Sequence, residues 1–320
     1  MESYFIAGGA GFIGSHLARA LGEAGKDLSL VIYDNFSSGR RWHLDSLRDH
    51  EGVTVVEGDI KDLERLSDAM KGATCVYHFA SNPDIAKAME KPDIDFWEGT
   101  YLTNNVVEAM RRNGVKKLLY ASGSGVYGDT GLVEVTEDHA PLLPISTYGA
   151  SKLACEALVC SYCHMFSMTA AIFRFANVVG PRQTHGVGYD FIRKLKSDPS
   201  RLRILGDGTQ SKSYIEVSDV INAMRLVEKR LEGGYHYYNV ATLDYLTVKE
   251  IADIVVSAMG LGKVTYEFSG GARGWKGDVP VVRFDSQKIR SLGWTNRFTS
   301  REAISRSVAS LYQDALEGRI

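Results

Sequence analysis

The sequence holds no run of about eighteen apolar residues, so no segment reads as a membrane-spanning helix. Met1 leads directly into the strand-like SYFIA with no basic stretch ahead of it, so no secretory leader is expected and the chain reads as cytoplasmic. Neither sign of charge dominates: 37 Lys and Arg face 39 Asp and Glu, for a net charge of -2. That balance excludes a bulk electrostatic binder of nucleic acid, and no nucleic-acid or membrane partner is expected. Cysteine is scarce as well. Cys75, Cys155, Cys160 and Cys163 are too few to frame a 320-residue chain with disulfides, and they suit a reducing compartment. Cys160 and Cys163 form a C-x-x-C followed by His164, but they lie inside the helical pattern SKLACEALVCSYCHMF, where free cysteine packs as a small hydrophobe. No metal is expected. Internal repeats, low-complexity tracts and a flexible linker are also missing, so two parts sharing an interface fit better than two parts on a tether.

What is present is the composition of an ordinary globular chain, 44% hydrophobic and 24% charged, long enough for a large domain and a smaller companion. Short apolar runs at Tyr4 to Ala7, Leu28 to Tyr33, Val53 to Glu57, Cys75 to Phe79, Leu118 to Ala121 and Ala170 to Arg174 read as strands, with helical patterns between most of them. Strands separated by helices imply parallel βαβ crossovers. Beyond Pro181 the regularity weakens into basic stretches such as RKLKSDPSRLR and the glycine-rich GGARGWKGD.

The most informative segment is YFIAGGAGFIGSHLARALGEAG. A strand runs into Gly8, Gly9, Gly11 and Gly14 and then into a helix with apolar Phe12, Ile13, Leu17 and Leu21. Glycine permits the tight turn and the close approach of backbone to a pyrophosphate, while the helix N-terminus offers unpaired N–H groups and positive dipole. The fold class this predicts is α/β, a Rossmann-type doubly wound parallel sheet with a smaller C-terminal substrate-binding domain. Residues 1–178 are expected to bind the dinucleotide, with later segments at about 212–245 returning to that domain, and residues 179–320 mainly to bind substrate. Asp34 ends the second strand twenty residues after Gly14, where a carboxylate accepts hydrogen bonds from the adenosine ribose and repels a 2′-phosphate. That favours NAD, although Arg40 and Arg41 follow and an arginine near the ribose is what NADP requires. Asp59, at the end of the third strand, is a candidate adenine contact.

Tyr148 and Lys152, in YGASK, lie one helical turn apart on one face. A phenol near pKa 10 is a poor base at neutral pH, and lowering it by about three units takes about 4 kcal/mol of differential stabilisation. A fixed ammonium and a cationic nicotinamide can supply it. Ahead of this pair stands the serine-bearing ASGSGVYG.

On GGAGFIG, YDN, GDI, HFAS, YGASK, RFANVVGPR, LGDGTQSKSY and GDVP, the chain resembles the extended short-chain dehydrogenase/reductase family, and within it the UDP-glucose (UDP-galactose) 4-epimerases, over nearly its full length. The resemblance implies NAD contacts at Gly8, Gly11, Phe12, Ile13, Gly14, Asp34, Asn35, Ser38, Asp59, Ile60, Phe79, Ala80, Ser81, Tyr148 and Lys152. It also implies a UDP-sugar substrate met by Asn177, Lys212, Arg273, Asp278 and Val282. In the implied reaction Tyr148 removes the proton of the sugar's 4-hydroxyl while the 4-hydride moves to NAD. The 4-keto sugar then turns over, and hydride returns to the other face. A homodimer is implied too, with the helix through Leu153, Leu158, Val159, Tyr162 and Phe166 in its seam.

Three departures from the family pattern stand out. Gly123 occupies the place of the catalytic Ser or Thr, leaving Ser122 or Ser124 to substitute, with Ser124 favoured. The usual Asn of the following helix is replaced near Glu98 and Gly99. Lys212, in KSY, replaces a phosphate-binding Arg, which shifts weight onto Arg273. A 4,6-dehydratase shares the fold but carries an adjacent Asp-Glu where this chain has Ser124 and Gly125, and elimination of water needs such an acid and base. A net-redox sugar-nucleotide oxidoreductase and a non-catalytic dinucleotide-binding regulator remain further alternatives. Val282 stands where some family members place a tyrosine beside the hexose C2 substituent, so N-acetylated sugars are expected to be accepted.

Overall fold

The structure, a computed structural model, describes residues 2–24 and 28–320. Met1 and residues 25–27, which include the last glycine of the fingerprint segment, lie outside the described residues. The chain divides into two compact units, one of Met1–Val126, Thr147–Arg174 and Ile221–Tyr238, the other of Tyr127–Ser146, Phe175–Val220 and Asn239–Ile320.

The first unit is built on β1 (Ser3–Ala7), α1 (Phe12–Gly22), β2 (Ser29–Asp34), β3 (Val53–Glu57), α2 (Leu63–Ala69), β4 (Cys75–His78), α3 (Tyr101–Arg112), β5 (Lys117–Gly123), α4 (Thr147–Phe166) and β6 (Thr169–Phe175). All four residues of β4 are buried, and so are Tyr4 to Ala7 of β1. Strands covered on both faces read as continuous apolar runs, which is why sequence pattern located them to within one or two residues. The seven-stranded sheet runs β3, β2, β1, β4, β5, β6 and then a later strand, Tyr235–Val240. The pairs β1–β2, β2–β3, β1–β4 and β4–β5 are parallel. Ala7 is level with Tyr33 on one side and His78 on the other, so Gly8, Asp34 and Phe79 emerge together at the carboxyl edge beside the order reversal at β1. Open parallel sheets bind ligands at that edge. The core beneath joins Phe5, Tyr33, Val76 and Tyr120 of the sheet to Val106 and Met110 of α3 and Cys155 and Val159 of α4.

The second unit carries β7 (Asn177–Val179), α5 (Val187–Ser197), β8 (Arg201–Ile204), β9 (Ser211–Lys212) and β10 (Tyr214–Glu216). Next come α6 (Val217–Glu228), which belongs to the first unit from Ile221 onward, and β11, the Tyr235–Val240 strand. The C-terminal part of the second unit holds β12 (Leu246–Thr247), α7 (Val248–Ala258), β13 (Thr265–Phe268), α8 (Gln287–Ser291) and α9 (Ser300–Leu316). Strands pair here only in twos: β7 with β10, β9 with β12 and β8 with β13. The core lies among α5, α7 and α9, around Phe191, Ile192, Ile251, Val255, Ile304 and Leu311. Both α7 and α9 start with a capping box, Thr247 with Glu250 and Thr299 with Glu302, which satisfies otherwise orphaned N–H groups at each entry. Among the described residues no helix is long and apolar enough to cross a membrane.

Candidate functional site

Gly8 adopts φ +82°, and a Cβ there would lie 2.6 Å from the Ala80 backbone nitrogen. A Cβ on Gly14 would run into the Gly8 carbonyl oxygen. Only glycine lets the β1–α1 turn close this tightly on the 79–81 segment and on the first turn of α1. Gly11, the α1 N-cap, makes no side-chain cap, and a Cβ there would meet nothing nearer than the Gly8 oxygen at 3.3 Å. The result is a helix N-terminus whose first N–H groups carry no side-chain cap, a cradle that fits a pyrophosphate. Phe12 is buried and Ile13 half-buried on the same turn.

Asp34 lies 8% exposed beside this turn, accepting from the Ala10 N–H at 2.9 Å and the Phe36 N–H at 2.8 Å. Burial raises its carboxyl above the usual aspartate value, and the N–H groups of Phe36, Ala10 and Gly11 oppose that rise. Asn35 donates to Asp59 at 3.3 Å, and Asp59 also accepts from the Lys61 N–H, so these two candidates meet at the ends of β2 and β3. Ile60 is buried with its carbonyl held by Asn105 at 3.0 Å. Ser38, Phe79, Ala80 and Ser81 are half-buried along the same edge. Arg40 donates to the Ser38 and Gly39 carbonyls. Arg41 pairs with Glu57 at 2.6 Å and stacks 4.4 Å from the Phe36 ring centroid. Both exposed guanidinium groups thus have partners within the chain.

Helix α4 carries the other candidates. Its inner face runs through Gly149, Lys152, Cys155, Glu156, Val159 and Cys163, so Tyr148, Lys152 and Glu156 recur at intervals of four along one stripe. Lys152 is 5% exposed and donates to the Ala121 carbonyl at 2.8 Å. Its ammonium lies 5.1 Å from the Tyr120 ring centroid and 5.6 Å from that of Tyr148. Burial pushes the Tyr120 phenol well above its ordinary value, so Tyr120 stays neutral, while Tyr148 is half-exposed.

Ser122 and Ser124 part company. Ser122 is 5% exposed and donates to Glu156 at 2.5 Å, while Glu156 takes both arms of Arg174, at 3.1 and 2.7 Å. Ser124 is half-buried, with no hydrogen-bond partner for its hydroxyl among the described residues. Between them a Cβ on Gly123 would meet nothing within 4 Å. On the next glycine, Gly125, it would come 3.2 Å from the Gly149 Cα at the head of α4. Sequence reading missed Glu156 and Arg174. The available signals were the position of Glu156 one turn beyond Lys152 and a lone arginine in the apolar strand TAAIFRF.

In the second unit, Lys212 and Asp278 form an ion pair at 2.7 Å, and Arg273 donates to the Asp278 carbonyl and pairs with Asp129. Lys212, Arg273 and Asp278 are thus brought together. Asn177 opens β7, half-buried, opposite Tyr214. Val282 is half-buried and lies between two isolated bridges, at Val281 and Phe284, outside the named strands. Of the apolar residues of α4 named for a seam, Val159 is 1% exposed and belongs to the core. Leu153, Leu158, Tyr162 and Phe166 are half-buried.

Fold and turn together define a dinucleotide-binding α/β protein. Residues 4–241 match the model of the NAD dependent epimerase/dehydratase family, and the chain belongs to that family, which makes NAD its cofactor. It is 31% identical over 327 residues to the UDP-glucose 4-epimerase of Azospirillum brasilense, covering 95% of this chain and 90% of that one. Among solved structures it is similar to a UDP-galactose 4-epimerase, with 35% identity, a TM-score of 0.86 and coverage of 98% and 99%. It also resembles the NAD complex of the UDP-glucose 4-epimerase of Thermus thermophilus, with 30% identity, a TM-score of 0.85 and coverage of 97% and 98%.

Proposed function

We propose that this chain inverts C4 of a UDP-hexose, interconverting UDP-glucose and UDP-galactose and accepting their N-acetylated forms. The observation that carries the reading is the α4 stripe: a half-exposed Tyr148 phenol beside a buried ammonium that is pinned to the end of β5 by Ala121. Bound NAD supplies the hydride acceptor and donor. Tyr148 takes the proton of the sugar's 4-hydroxyl and gives it back after the 4-keto sugar has turned over. Lys152 favours the phenolate electrostatically, and Ser124 donates to the 4-oxygen. The Gly8 to Gly14 turn holds the pyrophosphate and Asp34 the adenosine ribose. Lys212 and Arg273 hold the substrate diphosphate, so remote binding energy anchors the nucleotide while the hexose stays free to rotate.

Asp34 at the end of β2 supports NAD over NADP, since its carboxylate repels a 2′-phosphate. A dehydratase is disfavoured at Gly125, where even a Cβ crowds Gly149 and no carboxyl group is present. The test is to incubate purified protein with UDP-glucose and no added cofactor. Formation of UDP-galactose supports the proposal. A 4-keto-6-deoxy product assigns a dehydratase instead, and turnover only with consumption of NAD(P)H assigns a net oxidoreductase.

A further inference from the structure

Asp95 lies at the entry to a π-helical turn, Phe96–Thr100, that leads into α3. It is 2% exposed, and the described residues place no cation in an ion pair with it. Its hydrogen bonds go to two other segments. One carboxylate oxygen accepts from the Asn82 amide at 2.9 Å, and the other accepts from the Thr147 hydroxyl at 2.7 Å. Its backbone carbonyl accepts from the Ser151 hydroxyl at 2.7 Å. Thr147 and Ser151 flank Tyr148 and Lys152 on the first turn of α4, and Asn82 closes the 79–82 segment whose Ala80 packs on Gly8.

The π-helical turn is shaped to make these bonds. A Cβ on Gly99 would collide with the Ser151 side-chain oxygen, so a glycine there is what lets Ser151 reach both the Asp95 carbonyl and the Thr100 hydroxyl, the latter at 2.9 Å. The Asn82 N–H is meanwhile held by the Glu98 carbonyl at 2.9 Å. Asp95 thereby ties the cofactor-side loop to the helix end that bears Tyr148.

We propose that Asp95 is a positioning residue for Tyr148: it fixes the rotation and height of the first turn of α4 relative to the cofactor edge, and it touches neither substrate nor cofactor. The inference rests on the epimerase reading of Tyr148. A helix head released from this anchor misplaces the phenol, and misplacement by about 1 Å costs on the order of a hundredfold in rate where orientation matters. Substrate affinity is set by other residues, so the loss falls on kcat.

An asparagine at position 95 keeps one acceptor for Asn82 and offers its own N–H to the Thr147 hydroxyl, which accepts as readily as it donates. Asp95→Ala should lower kcat about tenfold or more with KM for the UDP-hexose within about threefold, and Asp95→Asn should recover most of that loss. Thr147→Val removes one of the bonds at an exposed position where folding is not at stake, and it should lower kcat about threefold or more. Amide exchange read by mass spectrometry should accelerate in residues 147–152 of Asp95→Ala and stay unchanged in residues 156–166. Wild-type kcat in both Asp95→Ala and Thr147→Val, or exchange unchanged in residues 147–152, would overturn the proposal. So would a fall in kcat and NAD content together with a rise in KM and no recovery in Asp95→Asn. If the wild type epimerises no UDP-hexose, the proposed function fails on that result alone, and the exchange experiment still decides whether Asp95 anchors the helix.

Discussion

The Ser122 hydroxyl donates to the Glu156 carboxylate at 2.5 Å, deep beneath the end of β5, and this one bond separates two serines that sequence alone left interchangeable. Ser122→Ala should lower stability by about 1.5 to 3 kcal/mol, the range for a hydrogen bond to a charged group, with little change in kcat. Ser124→Ala should do the reverse. Gly123→Ser should fold normally and equal or exceed the wild-type rate, because the position opens onto free space. Urea unfolding and steady-state rates on the three variants check this. Equal rate losses in both alanine variants would remove the distinction.

Strand positions, the glycine turn and the Tyr148/Lys152 pair were legible because each rests on a local rule: buried runs, the backbone demands of a tight turn, and the four-residue repeat of a helix. Pairings across long stretches of chain leave no such pattern. Asp95 meets Thr147 across 52 residues, and Lys212 meets Asp278 across 66. Nothing near Ser122 in sequence says that its hydroxyl turns inward to a glutamate 34 residues on. Gly99 was visible only as a departure from a family pattern. The structure gives it a physical reason, the space taken by Ser151.

Asp34 makes cofactor retention depend on pH. Burial raises its carboxyl above the ordinary value, so on acidification it protonates earlier than an exposed aspartate and loses acceptor capacity for the ribose. Retained NAD should fall as pH drops through that raised value. Asp34→Asn should bind NAD about tenfold or more weakly and lose the pH step. Cofactor content after gel filtration at graded pH is the measurement. An identical step in the variant would assign it to another group.

His78 makes folding depend on pH as well. It is fully buried, its ring nitrogen bonded to Thr103 at 3.0 Å, and burial lowers it to about 3 with the charge of Lys152 adding to the effect. The unfolded imidazole takes a proton near 6.5, whereas the folded one stays neutral down to about 3. Its contribution to stability is therefore complete above pH 6.5 and is lost as pH falls from 6.5 towards 3, at about 1.4 kcal/mol per pH unit. Urea midpoints should fall less steeply between about pH 7.5 and 5 in His78→Gln than in the wild type. Parallel slopes would contradict the assignment.

Val282 is the steric prediction. Valine is smaller than tyrosine, and a hexose site lined by Val282 lacks the bulk that would strongly reject a larger ligand. UDP-GlcNAc and UDP-GalNAc should be epimerised alongside the unsubstituted sugars, and Val282→Tyr should selectively lower kcat/KM for the acetylated pair, overpacking being worth about 1 to 3 kcal/mol. Equal losses on all four sugars would remove Val282 as a gate.

The central claim is that C4 is inverted by removal and return of the same hydride, with Tyr148 handling the proton. UDP-glucose carrying deuterium at C4, incubated with the protein in ordinary water and no added cofactor, tests it most directly. The account predicts UDP-galactose that keeps the deuterium at C4, and no epimer from Tyr148→Phe despite its retained NAD. Loss of the label to solvent, or a Tyr148→Phe protein with more than about a tenth of the wild-type rate, a deficit of only about 1.4 kcal/mol, would contradict it.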